Sequence, residues 1–459
     1  MGEKVIPMHT VTPQLLTPVT PGETPPRAPQ PPGAAFVHSS QFQAMLARVH
    51  EQLLNVIEKE RIDLGRLAPD ALLGVVRSLA GRIAQELKIP LNESETGVLA
   101  QSLVKELNGF GPLDDLMSDA AVEDILINGH EDVYASSGGQ LDRVPVRFID
   151  DAHLLRILRR ILAPLGRRLD ESSPMVDARM PGGGRLNAII APLAVDGPMI
   201  SIRKFRKDPF TPQELLDRNA FDRPMYALLE AMVRGRCNII VSGGTSSGKT
   251  SLLNALASFI PHNERVLTIE DTAELSLNHP HVVRLESRMG GADGTGEVTI
   301  RDLVRNALRM RPDRVVIGEV RGAEVLEMLQ AMNTGHDGSM ATIHANGPRE
   351  CLHRIEMLAG FAGFQGSDES LRRQIAGAVD CIVQIARLPS GRRVITSITE
   401  ITGVGDTQVT LQELYRHETQ LNAEGNDVER WHAPGFQPHS PKLAPFREPL
   451  LQARLESLG

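Results

Sequence analysis

Asn238-Ile-Ile-Val-Ser-Gly-Gly-Thr-Ser-Ser-Gly-Lys-Thr-Ser-Leu-Leu-Asn-Ala-Leu-Ala257 is the stretch that decides the fold. The apolar run before Gly243 has the length of a buried strand, and the apolar residues after Thr250 recur as on a helix. Between them stand Gly243, Gly244, Thr245, Ser246, Ser247, Gly248, Lys249, Thr250 and Ser251. Gly243, Gly248, Lys249 and Thr250 have the spacing of a phosphate-binding loop, with a strand leading in and a helix leading out. Glycines let successive backbone N–H groups turn inward, and the helix N-terminus adds positive potential. A lysine in that place can reach the β- and γ-phosphates, and a hydroxyl beside it can ligate Mg²⁺. The expectation is binding of a nucleoside triphosphate, with ATP and Mg²⁺ as cofactors. A glycine–serine turn with an incidental lysine would not need a strand before it and a helix after it.

Outward from that loop, apolar runs alternate with helical patterns from Cys237 onward, as in a mostly parallel sheet. The strands expected are residues 238–242, 265–270, 281–285, 314–317, 339–343 and 381–386. Upstream, residues 113–206 change period. Val122–Asn128 and a hairpin turning at Gly138-Gly139 precede an apolar-faced helix, and two alternating strands then flank Asp196-Gly197. That is a compact α+β domain. Before it, residues 39–112 carry three helical patterns, the third opened by the capping-box sequence Asn92-Glu-Ser-Glu95. The fold class expected is therefore α/β: a nucleotide-binding core, a preceding α+β domain and an N-terminal three-helix bundle. Residues 207–223 read as a linker and 224–421 as the core. Residues 1–38, with nine prolines before Ala34, read as a disordered arm. Residues 422–459, with isolated Trp431 and Phe436, read as a proline-rich tail whose last piece, 449–458, docks on a partner or stays in solvent.

Composition sets bounds. The 459 residues allow about three domains. At 41% hydrophobic and 23% charged, the chain reads as folded and soluble. A net charge of −8 argues against a broad nucleic-acid surface. Cys237, Cys351 and Cys381 form no metal spacing and suit a reducing compartment. No apolar run approaches the roughly 18 residues of a membrane span, so a cytoplasmic protein with only peripheral membrane contact is expected.

Hydrolysis needs more than a phosphate loop: a group to take a proton from water, a second Mg²⁺ anchor, and positive charge for the transition state. Val315-Val-Ile-Gly-Glu319 is an apolar strand ending in an acid, with glycine where aspartate is the simplest form. Leu267-Thr-Ile-Glu-Asp-Thr-Ala-Glu274 ends another strand in three carboxylates, one of which could serve as base. His336 and His344 flank a strand and lack the partners of a zinc site, yet beside a nucleotide they could sense a γ-phosphate. Arg185, Arg203 and nearby Arg179 could reach across a domain boundary as arginine fingers. Arg301, Arg305 and Arg309 form a ridge at helical spacing.

Together these stretches, with Gly184-Arg-Leu-Asn-Ala, Ile200-Ser-Ile-Arg-Lys-Phe, Arg309 through Gly322 and Gly335 through Asn346, resemble the secretion and pilus ATPases of bacterial type II and type IV systems. The nearest likeness is to the tight-adherence (Tad) pilus ATPases, over residues 95 to 415. That resemblance implies a RecA-like core in a homo-hexameric ring. It implies that Lys249 and Thr250 hold phosphate and Mg²⁺, with Glu274 as general base and Glu270 and Asp271 in the metal shell. Glu319 would be the second-motif acid, His336 and His344 the histidine box, and Arg185 and Arg203 the arginines presented to nucleotide. Glycine before Glu319 is usual in that family. The implied function is a cytoplasmic motor working on inner-membrane platform proteins in type IV (Tad/Flp) pilus assembly or protein secretion, with no direct nucleic acid. A DNA-translocating, conjugation-type ATPase and a non-hydrolysing ATP-binding scaffold are the alternatives.

Overall fold

The computed structural model describes residues 39–456, apart from 63, 65–66, 139, 181–182, 206–207, 289, 291–294, 406, 422–426 and 435–436. The expected arm at 1–38 and Phe436 lie outside the described residues. The chain divides into two compact units, Met1–Leu103 and Val104–Gly459.

In the first unit, helix Ser40–Glu60 opens on Ser39, whose hydroxyl accepts from the Phe42 N–H. Helix Pro69–Glu86 follows, and Glu93–Asn108 begins a third. Their apolar stripes are buried, with Leu46, Val49, Leu53, Val76, Ile83, Leu99 and Leu103 all nearly inaccessible. Asn92 and Glu95 exchange the two hydrogen bonds of the predicted capping box.

The second unit holds two sheets. The smaller is antiparallel, in the order β3-β2-β1-β6-β5-β4. Its strands are β1 (Val122–Asn128), β2 (Asp132–Ser137), β3 (Gln140–Arg143), β4 (Met175–Arg179), β5 (Arg185–Ile189) and β6 (Met199–Arg203). Strand β4 has no counterpart in the sequence reading, because only Val176 and Ala178 alternate as apolar positions within it.

The larger sheet runs β15-β14-β13-β12-β7-β11-β10-β8-β9. Strands β7 (Ile239–Gly243), β8 (Val266–Glu270), β9 (Val282–Glu286), β10 (Arg314–Ile317), β11 (Met340–Ile343) and β12 (Cys381–Arg387) are all parallel. They lie where the alternation places them, and the fold class is α/β as expected. Along β7, Ile239 and Val241 face one helical layer and Ile240 the other. A sheet covered on both faces requires such an uninterrupted apolar run.

Two segments depart from expectation. Residues 212–217 of the expected linker form a helix with a Thr211/Glu214 capping box, and Leu215, Leu216 and Phe221 pack into the core. Part of the expected tail is also folded. Within the expected core, strands β13 (Arg393–Val404) and β14 (Val409–Leu421) extend the sheet antiparallel, and from the expected tail β15 (Asp427–His432) pairs with β14. Trp431 of β15 packs against the apolar core cluster, and beyond the strand Leu443, 1% exposed, belongs to that cluster, with Phe446 and Leu450 packed against it. Burial of these scattered apolar residues outweighs the local preference of a proline-rich segment for remaining extended. Among the described residues no helix is long and apolar enough to cross a membrane.

Candidate nucleotide site

The site follows from strand order. In a parallel sheet all C-terminal strand ends share one edge, and the order β7-β11-β10-β8 lines up four loops there. These bring Lys249, His344, Glu319 and the Glu270–Glu274 turn side by side, although they are far apart in the chain.

The loop after β7 has the shape that glycine and serine permit. Gly248 has φ of 98° and caps the helix that begins at Lys249. Ser246 takes φ of 58° without being glycine, a strained backbone position. A Cβ on Gly243 would come within 2.4 Å of the Ile385 carbonyl oxygen, so only glycine fits beside β12. Lys249 folds under the loop. Its Nζ donates to the carbonyl oxygens of Gly243 (3.0 Å) and Gly244 (2.8 Å), and to His344 Nδ1 at 3.2 Å. Burial pushes this ammonium down to about 8, against an upward pull from Glu319.

From Lys249 a chain of polar contacts crosses the strand ends. Lysine can only donate, so His344 Nδ1 accepts, which leaves the ring proton on Nε2, 2.6 Å from Glu319 Oε1. Burial, then the neighbouring Lys249, hold His344 below its ordinary range, which favours that neutral tautomer. Glu319 Oε2 accepts from Arg321, and Arg321 Nη1 lies 3.8 Å from Asp271. Arg321 has no role among the sequence expectations. Its signal was present two residues beyond Glu319, where an arginine following a strand-end acid has a partner at hand.

The acidic turn divides its labour. Glu270 is 3% exposed, and its Oε2 accepts from the N–H groups of Glu274 (2.8 Å) and Leu275 (2.9 Å). Burial raises this carboxyl to about 7. Glu270 therefore shapes the turn through Oε2, while its buried Oε1 has no hydrogen-bond partner among the described residues. Its path also explains Gly318: a Cβ there would sit 2.7 Å from Glu270 Cγ. Asp271 is half exposed and accepts from Ser287 Oγ at 2.9 Å. Glu274 is raised by burial, lowered by Arg203 and Arg185, and raised again by Glu319. Among the described residues no group of three His, Cys, Asp or Glu could hold a metal alone. Mg²⁺ held chiefly by phosphates needs only one or two side chains; Thr250, in the first turn after the loop, and Glu319 fit that mode.

The small domain faces this edge with a charged row. Cross-strand register pairs Arg179 with Arg185, Arg185 with Arg203, and Arg203 with Asp124. Adjacent like charges repel, and each arginine has its own acid. Arg203 Nε donates to Asp124 at 3.0 Å, Arg185 Nε reaches both Asp177 oxygens at 3.0 Å, and Arg179 Nη1 meets Glu286 at 3.0 Å. Asp177 raises the Arg185 guanidinium.

One expectation is corrected by position. His336 precedes β11, and the carbonyl of His336 accepts from Ser339 Oγ, whose own N–H donates to Asn238 at the start of β7. It lies at the opposite edge of the sheet from Lys249 and is not brought to the loop. In the arginine ridge, Arg301 and Arg305 both donate to buried Glu327, and Arg309 donates to the Arg305 carbonyl.

A family model described as type II/IV secretion system protein matches residues 91–426. A Mycobacterium tuberculosis protein provisionally named for conjugal transfer is 40% identical over 312 residues, covering 66% of this chain and 88% of its own. The type IV secretion system protein VirB11 of Bartonella quintana is 28% identical, covering 64% of this chain and 92% of its own. Among solved structures, the VirB11 ATPase of the Brucella suis type IV secretion system, in complex with sulphate, matches at 26% identity and a TM-score of 0.34, over 64% of this chain and 95% of that one. With nearly three quarters of its length matched, the chain belongs to the type II/IV secretion system protein family.

Proposed function

We propose that this protein is a Mg²⁺-dependent ATPase motor, working as a homo-hexamer on the cytoplasmic side of an inner-membrane platform in type IV (Tad/Flp) pilus assembly or related protein secretion. One observation carries the ATPase reading. A buried lysine under a glycine-built loop is joined through His344 to Glu319, with a half-buried Glu274 opposite two arginines of the neighbouring domain. Lys249 and the N–H groups of Gly244–Lys249 would take the β- and γ-phosphates. Bound Mg²⁺ would neutralise charge between them, held by Thr250 and Glu319. Glu274, raised toward neutrality by burial, has the affinity for a proton that a base acting on water needs. Arg185 and Arg203 would then compensate charge on the transferring phosphoryl group. Because they belong to the small domain, loss of that group would change how strongly the two domains hold together.

Turnover and nucleotide affinity of Glu274→Gln, with Lys249→Ala as the blank, test this. The expected outcome is near-unchanged affinity in Glu274→Gln with turnover reduced at least about 100-fold, in the range for general-base loss. Undiminished turnover would remove Glu274 from the role of base.

The name of the mycobacterial relative favours a second reading, conjugation-type DNA translocation. It requires turnover stimulated by DNA and a steep loss of that stimulation with salt. The pairing of Arg301 and Arg305 with Glu327 and the charge of −8 favour the protein-transport reading.

A further inference from the structure

The hairpin joining β12 to β13 has no part in the reaction described above, yet it touches both of the components that reaction must couple. Strand β12 runs parallel to β7, with Ile385 opposite Gly243, so its C-terminal end passes the phosphate loop. The chain then turns at Gly391 and returns through Arg393, paired with Arg387. This return lays the Arg393 side chain on the loop: a Cβ on Gly248 would meet Arg393 Cδ at 3.1 Å. Arg393 Nε donates to the Ser246 carbonyl at 3.2 Å. The other end of the same guanidinium leaves the core, with Nη2 3.6 Å from Glu123 Oε2 on β1 of the small domain. Beside it the two turns approach each other, a Cβ on Gly391 lying 3.8 Å from the Gly138 carbonyl oxygen.

We propose that Arg393 is a positioning residue that clasps the phosphate loop to the small domain, with Ser246 and Glu123 as its two ends. The inference rests on the nucleotide reading of the loop. Ser246 occupies a left-handed backbone position that serine disfavours, and the Arg393 hydrogen bond holds its carbonyl there. Glu123 is the neighbour of Asp124, which steers Arg203. Movement of the loop is thereby passed to the strand that places an arginine over the site. Among the described residues the Arg393 side chain hydrogen-bonds to loop backbone and pairs with Glu123; it is not assigned a bond to substrate, so its effect is on placement.

Hydrogen exchange of the loop (243–249) and of β1 (122–128), with and without Mg-ADP, tests the clasp, together with Mg-ADP affinity. In the unaltered chain both segments gain protection. Glu123→Gln keeps loop protection and affinity but loses the response of β1. Arg393→Ala loses the β1 response and weakens affinity about three- to tenfold, the scale of one hydrogen bond. Adding Ser246→Gly to Arg393→Ala restores affinity, because glycine takes the left-handed conformation freely, and leaves β1 silent. A merely structural Arg393 would not separate these two effects. A β1 response in Glu123→Gln equal to that of the unaltered chain overturns the proposal, as does unchanged affinity in Arg393→Ala. Absence of loop protection in the unaltered chain sinks the nucleotide reading itself, and the clasp with it.

Discussion

At the residue scale, Glu270 shows how the site sets chemistry against stability. Its carboxyl is raised from the usual 4.5 to about 7, chiefly by burial, opposed by the N–H groups of Leu275 and Glu274 and by the charge of Arg284. The folded state therefore binds a proton that the unfolded chain has released between those two values. Stability falls as pH rises across that window, and the cost is complete above about 7. A shift of this size corresponds to roughly 3 kcal/mol. Glu270→Gln keeps an acceptor for both N–H groups and cannot ionise. Urea unfolding should find Glu270→Gln more stable than the unaltered chain by about 2–3 kcal/mol at pH 8, with the gap closing toward pH 5. A gap independent of pH would show that Glu270 is not held near neutrality. Glutamate at a position where glutamine would be more stable fits a site where ionisation is put to use.

At the scale of elements, legibility depended on how much each segment says about itself. The six parallel strands are short apolar runs closed by turns, and each could be read alone. Strand β15 could not: within Asp427–His432 the apolar residues are Val428 and Trp431, and its place comes from the register it finds on β14. The chain of contacts from Lys249 through His344 to Glu319 was hidden for a related reason. It depends on β11 lying between β7 and β10, and strand order is not written in local spacing. His336 is the opposite case. Sequence proximity suggested one site, whereas the intervening strand carries His344 to the far edge. The folded end of the chain makes a direct prediction. Leu443 is 1% exposed in the core cluster that also receives Phe446 and Leu450, whereas Leu455 is 60% exposed. Leu443→Ala should cost about 2–4 kcal/mol in urea unfolding, and Leu455→Ala under about 0.5 kcal/mol. Equal, small losses at both would mean that the end of the chain contributes nothing to the core.

At the scale of the molecule, the question is whether one chain holds everything turnover requires. The small domain and the nucleotide edge face each other within a single chain, and Arg185 and Arg203 act on Glu274 electrostatically. Each arginine is also engaged by an acid of its own domain, Asp177 or Asp124. Charge-assisted pairs of this kind hold an arginine where it is. Releasing one toward a phosphate therefore needs a shift of the small domain, and contact with a neighbouring subunit is a source of free energy for it. A ring of such subunits would then show assembly-dependent catalysis. Mg-ATP turnover per subunit should rise with protein concentration until the ring is populated, and its midpoint should coincide with the association midpoint from sedimentation. Asp177→Asn, which weakens the hold on Arg185, should lessen that dependence by raising the activity of dilute protein. Turnover that is flat with concentration, while sedimentation shows assembly, would mean that a single chain is already competent and that the ring serves transmission of force and not catalysis.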